Sequence, residues 1–345
     1  MISTPLCRAI SARLAALCLV SASAFLVGAS PASGQQAPIV MKMSTATLND
    51  MQHEWYRRFG AEVEKRSGGR IKGEIYPASQ LGAIPRQIEG VQFGSIQLWN
   101  GPPQFLAGVD SRFEIPSAPG LFKSFEHAHK VIQDPEFAVP FLAIGTPKGL
   151  KGVGLTVTGP MSIATRTKAV KLSDLAGKKI RVLASTMEQE QMRRFKATAV
   201  PMSLGEVLPA LQQGALDGTM SALPVISSMR YYDAAKYCLH TNHAVAVVIH
   251  VVSRIWFDKL PPDLQKVVMD VGASVSRDIL PWAMQNYKEH EEIWVKNGGE
   301  INTLSAAEQA EITRLMAPIG AEVTAKKPEE KAIFDVLLKV VKKYE

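Results

Sequence analysis

A long helical pattern near the end of the chain most restricts the folds available to it. Pro262 opens a run in which apolar residues recur every three or four positions, and this pattern continues to Trp294 before Gly298 and Gly299. About 35 residues at ~1.5 Å each give a rod of ~50 Å, longer than one ordinary domain is wide. Pro281 lies near its middle, where the missing N–H predicts a kink. A kinked rod of this length indicates two domains that share one helix.

The first 34 residues have the composition of a secretory signal peptide. Arg8 and Arg13 supply positive charge, an apolar stretch runs from Leu14 to Val27, and small residues follow it. We therefore predict cleavage between Ala29 and Gln35 and a mature protein in the periplasm. Because the apolar stretch is shorter than the ~20 residues of a spanning helix, and no later stretch is longer, we expect a protein that does not itself span the membrane.

Cysteine content and charge set limits on the mature chain. Cys238 is the one cysteine that follows the signal segment, so stability has to come from burial and not from a disulfide. The formal charge of +7 falls to +5 when Arg8 and Arg13 are removed. Lysines and arginines are scattered and not grouped with aromatic residues, which argues against nucleic acid as a partner. A mild positive charge would attract small anions, but it is explained equally well by a need for solubility.

Strand and helix patterns alternate along the mature chain. Strands are predicted at 39–43, 70–76 and 96–99 with helices between them, and a near-continuous apolar strand is predicted at 245–253. This alternation is typical of an α/β fold in which helices cover a parallel-type sheet.

One predicted strand, 178–184, carries an arginine into apolar surroundings. Ile180 and Val182 share one face of this strand, and Lys179 and Arg181 share the other. A buried cation without a partner is costly, so an anion is expected to meet Arg181. A planar guanidinium donates two parallel hydrogen bonds to a carboxylate, which favours a small organic acid as the ligand. The alternative is an exposed arginine on an edge strand.

Several motifs resemble the extracytoplasmic solute receptors of TRAP transporters, the DctP-like family. The similar stretches run in order from about residue 39 to residue 310, and no single one is decisive. They include YPASQLG at 76–82, IEGVQFG at 88–94, DLAGKKIR at 174–181, EVLPALQQGALDG at 206–218 and LPPDLQK at 260–266. The resemblance implies two domains that close on a ligand, and TRAP permease subunits in the membrane as partners.

The resemblance also implies the fold class. It is α/β, in the two-domain arrangement of periplasmic binding proteins, with a long kinked helix spanning both domains. The expected domains are domain I at 35–157 plus 245–280 and domain II at 158–244 plus 281–345.

Within the resemblance, the family's specificity-setting arginine falls on Arg181, which is expected to clamp the ligand carboxylate. The asparagine that assists it in sialic-acid-binding members falls on Ser221, a shorter and weaker partner, and the adjacent Met220 is a further candidate. Those members carry a second arginine shortly before the first, but this chain has TVTGP at 156–160. A carboxylate simpler than sialic acid is therefore favoured.

Three further ligand-binding candidates follow predicted strands of the first half. Trp99 and Asn100 end a strand at the expected rim of the cleft, where ligands bind in open α/β sheets. Trp99 either walls an apolar part of the ligand or packs in the core, and Asn100 is a candidate polar partner. Thr47 either caps the ligand or forms a local turn.

Histidine spacing and motif content favour neither a metal site nor an enzyme. His127 and His129 point in different directions on one helix, and His240 and His243 lack a nearby cysteine or carboxylate cluster in the sequence. We expect no cofactor.

The chain contains no nucleophile elbow, zinc-protease motif or phosphate loop. A binding protein is therefore predicted, and the alternatives are a ligand-sensing subunit of a signalling receptor and an exported enzyme acting on carboxylates.

Overall fold

Nine strands form one sheet in residues 37–345, the part of the chain that the computed structural model describes. The predicted signal segment at 1–34 lies outside the described residues. The strands are β1 (Ile39–Ser44), β2 (Ile71–Tyr76), β3 (Leu98–Gly101), β4 (Leu150–Thr165), β5 (Lys179–Val182), β6 (Thr198–Pro201), β7 (Gly218–Ala222), β8 (Tyr237–Ser253) and β9 (Glu300–Thr303). Their order is β2-β1-β3-β8-β4-β7-β5-β6, and β9 pairs with β8.

Helices cover both halves of this sheet. They are α1 (Met51–Arg66), α2 (Ile84–Phe93), α3 (Phe125–Gln133), α4 (Pro135–Ala143), α5 (Thr186–Arg194), α6 (Leu204–Gln212), α7 (Leu223–Ser228), α8 (Arg254–Phe257), α9 (Pro262–Asp278), α10 (Leu280–Lys296), α11 (Ala306–Met316), α12 (Ile319–Thr324) and α13 (Pro328–Lys343). Within residues 37–345, no helix combines the length and apolar character needed to cross a bilayer.

The sheet is mixed, so the expectation of a parallel-type sheet is corrected in part. β1 pairs in parallel with β2 and β3, and β5 pairs in parallel with β6 and β7. The two long strands, β4 and β8, are antiparallel to each other and to their neighbours β7 and β3. Two parallel α/β units are thus joined through one antiparallel pair of long strands, and the α/β fold class is confirmed.

The long strands run from one half of the sheet to the other. The C-terminal part of β8 pairs with β3, and its N-terminal part pairs with β9. The register of the β4–β8 ladder shifts three times between Gly152 and Ser162. Such irregularities bend a strand and increase its twist. The shifts lie beside the expected domain boundary at 157/158, and the boundaries themselves stay a prediction.

A buried histidine braces these strands. The ring of His250 in β8 stacks on Trp55 with 3.7 Å between centroids, and its Nε2 lies 2.9 Å from Oγ1 of Thr156 in β4. Trp55 in turn donates from Nε1 to Ser276 Oγ of α9 at 2.9 Å. Burial holds the pKa of His250 well below its ordinary value, so the imidazole is neutral in the folded protein.

The long helix predicted from Pro262 is present as two helices of 17 residues each, α9 and α10. They are separated by Ile279 alone, at φ −82° and ψ −15°. Pro281 is the second residue of α10 and has no N–H to donate to the carbonyl of Arg277, four residues before it. The expected kink is therefore confirmed as a break, and it lies two residues before the proline that causes it.

Side chains of α3 supply hydrogen bonds at this break. His129 Nε2 lies 3.0 Å from the Arg277 carbonyl oxygen, the acceptor that Pro281 leaves without its helical partner. Gln133 Nε2 donates to the Ser276 carbonyl oxygen of α9 at 3.4 Å and to the Leu155 carbonyl oxygen of β4 at 2.6 Å. Burial lowers the pKa of His129, so a neutral ring donates from Nε2. The break is thus held from outside the helix by α3.

A double-mutant cycle tests this role of His129. His129→Leu removes the hydrogen bond to the Arg277 carbonyl oxygen, so the free energy of unfolding should fall by about 0.5–1.5 kcal/mol in urea titrations. In the Pro281→Ala background the new N–H at 281 can bond to that carbonyl, and the loss should shrink to less than about half. Equal losses in both backgrounds would show that the two residues act independently.

A second stability prediction concerns the pH dependence that His250 imposes. Its pKa in the folded state is depressed, so the unfolded chain binds a proton that the folded chain does not as the pH falls below ~6.5. Stability is therefore lost on acidification, by up to about 2 kcal/mol for this residue at pH 5. The drop in unfolding free energy from pH 7 to pH 5 should be smaller in His250→Gln by about that amount. An identical drop in both proteins would contradict the burial of a neutral ring.

Candidate functional site

A cleft lies where the carboxyl ends of the parallel strands in both halves meet, with about 550 Å³ of space that includes its opening to solvent. Its walls combine polar side chains with apolar ones, and the middle of β8 crosses it. The residues that line it are Gln52, Pro102, Gln104, Phe105, Ser117, Met161, Arg181, Leu183, Glu188, Gln191, Leu204, Met220, Ser221, Val225 and 244–247.

Arg181 lies in this cleft with only 1% of its surface exposed. Its strand, β5, has parallel neighbours on both sides, so Arg181 is not on a sheet edge. The Nε atom donates to the Met202 carbonyl oxygen at 2.8 Å, and Nη2 has no hydrogen-bond partner among residues 37–345. Burial lowers the pKa of Arg181, while Tyr231 and Glu188 oppose that effect. A guanidinium stays protonated at neutral pH, so the cleft contains a buried cation with a donor to spare.

Two other sequence candidates join Arg181 in the cleft. Met220 and Ser221 lie in β7, which pairs directly with β5, and Thr219 of β7 is in register with Arg181. Met220 is buried, whereas Ser221 is half-buried. The strand pairing brings together residues about forty positions apart in the sequence, and their contact with ligand stays a prediction.

Trp99, Asn100 and Thr47 are buried but are not among the residues that line the cleft. Asn100 Nδ2 donates to the backbone carbonyl of Gln52 at 3.0 Å, and so supports a residue that does line it. Thr47 Oγ1 lies 3.5 Å from Thr45 Oγ1. The ligand contacts expected for these three side chains stay predictions.

Glu188 is a cleft residue that sequence reasoning missed. It is 2% exposed, and its two carboxylate oxygens accept from the Leu183 N–H at 2.7 Å and from Gln104 Nε2 at 3.1 Å. Burial raises its pKa, and these two donors and the charge of Arg181 partly oppose the rise. The sequence signal is Ser185-x-x-Glu188, which is typical of a helix cap and conceals the position of the carboxylate in the cleft.

Gln191 is a second missed residue, and its amide is fully engaged within the protein. Its Nε2 donates to the Ser117 carbonyl oxygen at 3.0 Å, and its Oε1 lies 3.0 Å from His243 Nε2. Burial lowers the pKa of His243 to about 3, so the neutral ring donates from Nε2. Gln191 therefore shapes the wall of the cleft without a free polar atom.

The histidines considered for a metal site have other partners. His127 Nδ1 accepts from the Lys123 N–H at 3.0 Å. His240 Nδ1 lies 2.8 Å from Ser162 Oγ, and its Nε2 lies 3.2 Å from a single carboxylate, Glu291. No group of three or more metal-ligating side chains converges anywhere in the described part of the chain.

Comparisons with known proteins agree with this geometry. The sequence model of the family described as bacterial extracellular solute-binding protein, family 7 (DctP), matches residues 43–327. A solute-binding protein from Verminephrobacter eiseniae is 32% identical over 250 residues, which cover 70% of this chain and 73% of that protein.

Two crystal structures show the same fold. One is a TRAP periplasmic solute binding protein from Desulfovibrio salexigens with bound orotic acid; its TM-score is 0.83 at 24% identity, covering 89% of this chain and 99% of that one. The other is the sugar acid binding protein of Advenella mimigardefordensis in complex with galactonate, with a TM-score of 0.83, 24% identity, and 89% and 99% coverage. The chain therefore belongs to the DctP family of bacterial extracellular solute-binding proteins, the TRAP solute receptors, and is a binding protein and not an enzyme.

Proposed function

We propose that this protein captures a small organic acid in the periplasm through Arg181 and delivers it to TRAP permease subunits in the membrane. The buried guanidinium carries the proposal, because its Nη2 lacks a partner and its cleft is shared by both halves of the sheet. A carboxylate supplies both the negative charge and the paired acceptors that such a group needs.

The lining of the cleft supports a ligand of this kind. Phe105, Leu204 and Val225 give the cleft apolar surface beside the charged and amide groups. The relatives solved with orotic acid and with galactonate both hold carboxylic acids, which supports the same chemical class here.

Capture by closure of two domains fits the architecture. We assign domain I to 35–157 plus 245–280 and domain II to 158–244 plus 281–345. These divisions fall beside the register shifts of β4 and the break at Ile279, where the backbone is least regular. Bending at these places would open the cleft, and the closed, loaded form would dock on the permease.

Export of the chain completes the proposal. The composition of residues 1–34 supports a cleavable signal peptide, and membership of a periplasmic receptor family supports the same location. The first test is therefore made on the chain without those residues.

A thermal-shift screen should identify the ligand. A panel of sugar acids, C4 dicarboxylates, keto acids and aromatic acids is compared at millimolar concentration. An acid present at about 100 times its Kd stabilises the folded state by ~2.7 kcal/mol and raises the melting midpoint by several degrees. If no acid in the panel moves the midpoint, capture of a small carboxylate is contradicted.

Arg181→Ala should then weaken binding of the acid found in that screen. Loss of one partner from a buried charge pair costs about 2–5 kcal/mol, so Kd measured by calorimetry should rise roughly 30-fold or more. Arg181→Lys keeps the charge but not the paired donors, and its Kd should lie between those of the wild type and the alanine variant.

Arg193→Ala is the matched control, because this arginine is 68% exposed and pairs with Glu190 on the surface of α5. Its Kd should stay within about threefold of the wild type. An Arg181→Ala protein that binds as tightly as this control would rule out Arg181 as the anchor.

A further inference from the structure

Besides the hydrogen-bond donor Arg181, the cleft contains two glutamine side chains whose amide oxygens can accept hydrogen bonds. We call Gln104 and Gln52 the acceptor pole. We propose that Gln104 and Gln52 present amide oxygens that accept hydrogen bonds from O–H or N–H groups of the ligand. The inference rests on the proposed function, since it takes the ligand carboxylate to lie at Arg181. The ligand class is then a carboxylic acid that also carries hydroxyl or ring N–H donors, and not a plain alkanoic or dicarboxylic acid.

Gln104 lies in the 3₁₀ turn Pro103–Leu106 that follows β3, and 8% of its surface is exposed. Its Nε2 donates to Glu188 Oε1 at 3.1 Å. Its Oε1 is buried and has no hydrogen-bond partner among the described residues. An unpaired buried acceptor is unfavourable, so a donor from a bound molecule would remove that cost.

Glu188 fixes which end of the Gln104 amide is free. An ionised carboxylate can only accept hydrogen bonds, so the amide must direct its nitrogen to Glu188 and keep its oxygen for another partner. The Leu183 N–H bonds to the other carboxylate oxygen at 2.7 Å, which holds Glu188 in place. Burial raises the pKa of Glu188, and the Leu183 N–H, the charge of Arg181 and the Gln104 amide oppose that rise by stabilising the ionised carboxylate. Glu188 is thus a positioning residue for Gln104.

Gln52 repeats this arrangement independently at the start of α1. It lines the same cleft, is 3% exposed, and donates from Nε2 to Asp50 Oδ2 at 3.1 Å. Asp50 is itself buried, and its Oδ1 accepts from the His53 N–H at 3.2 Å. No hydrogen bond within residues 37–345 engages Gln52 Oε1, so a carboxylate again holds the amide nitrogen and leaves the oxygen.

Gln191 shows that this pattern is not common to all cleft glutamines. Both ends of its amide are bonded, to Ser117 and to His243. Among the three cleft glutamines, the free acceptors therefore belong to Gln52 and Gln104, which both precede β4 in the chain, whereas Arg181 supplies a free donor. A ligand with a carboxylate at one end and donors at the other satisfies both poles.

The test uses pairs of acids that differ in their donors, namely malate with succinate, galactonate with hexanoate, and orotate with benzoate. We take the pair that contains the tightest-binding acid. Calorimetry on the wild type should give a Kd at least about tenfold lower for the donor-bearing acid of that pair than for its donor-free partner. Gln104→Leu should reduce that preference about tenfold, while the Kd of the donor-free acid stays within about threefold. Gln52→Leu should reduce it as well.

Gln191→Leu is the matched control, because its amide has no free atom. It should change the Kd of both acids of a pair by the same factor, so the ratio of the two Kd values stays the same.

In Glu188→Gln the new side-chain amide at 188 can donate a hydrogen bond, so the Gln104 amide can turn round. The preference for the donor-bearing acid should then fall, although all other cleft residues are unchanged. Melting midpoints check that each variant is folded.

The outcomes separate this inference from the proposed function. If acids bind through Arg181 but the wild type shows no preference, or Gln104→Leu leaves the preference unchanged, the acceptor pole is refuted and acid capture stands. If no acid binds, or if binding does not depend on Arg181, the proposed function fails and the acceptor pole fails with it.

Discussion

The cleft is organised around one buried cation. Moving a guanidinium out of water costs several kcal/mol, and here one backbone carbonyl and the nearby charge of Glu188 return only part of that cost. The part of the desolvation cost that is not compensated favours the binding of an anion at Arg181. β5, which carries Arg181, has a parallel neighbour on each side, and Arg181 is only 1% exposed, so water solvates little of this charge.

The rest of the cleft makes this preference specific. The amide of Gln191, bonded to the neutral imidazole of His243 behind it, shapes the wall without adding charge. Buried carboxylates orient the amides of Gln104 and Gln52. On the acceptor role proposed above, the donor of Arg181 and the acceptors of these amides would together fix the direction of a bound acid. The long strands β4 and β8 connect the two halves of the sheet, so the proposed closure would act through the same strands that cross the cleft.

The sequence indicated those features that depend on local pattern. Arg181 in an apolar strand and the long helix with a proline at its centre both follow from neighbouring residues. The apolar pattern predicts a strand at 245–253, but β8 begins at Tyr237, because its first half mixes polar with apolar residues although most of them are buried. β4 was missed, since glycines and threonines interrupt its apolar residues. Glu188 resembles a helix cap in sequence, and only the pairing of β5 with β7 and the approach of Gln104 place it in the cleft.

The most direct test of the central claim compares a carboxylic acid with its primary carboxamide, in the wild type and in Arg181→Gln. The amide keeps the shape of the acid but has no charge for Arg181 to meet. The wild type should bind the acid at least roughly 30-fold more tightly than the amide, and the difference should largely vanish in Arg181→Gln. Equal affinities in the wild type, or the same difference in both proteins, would contradict a carboxylate clamp at Arg181.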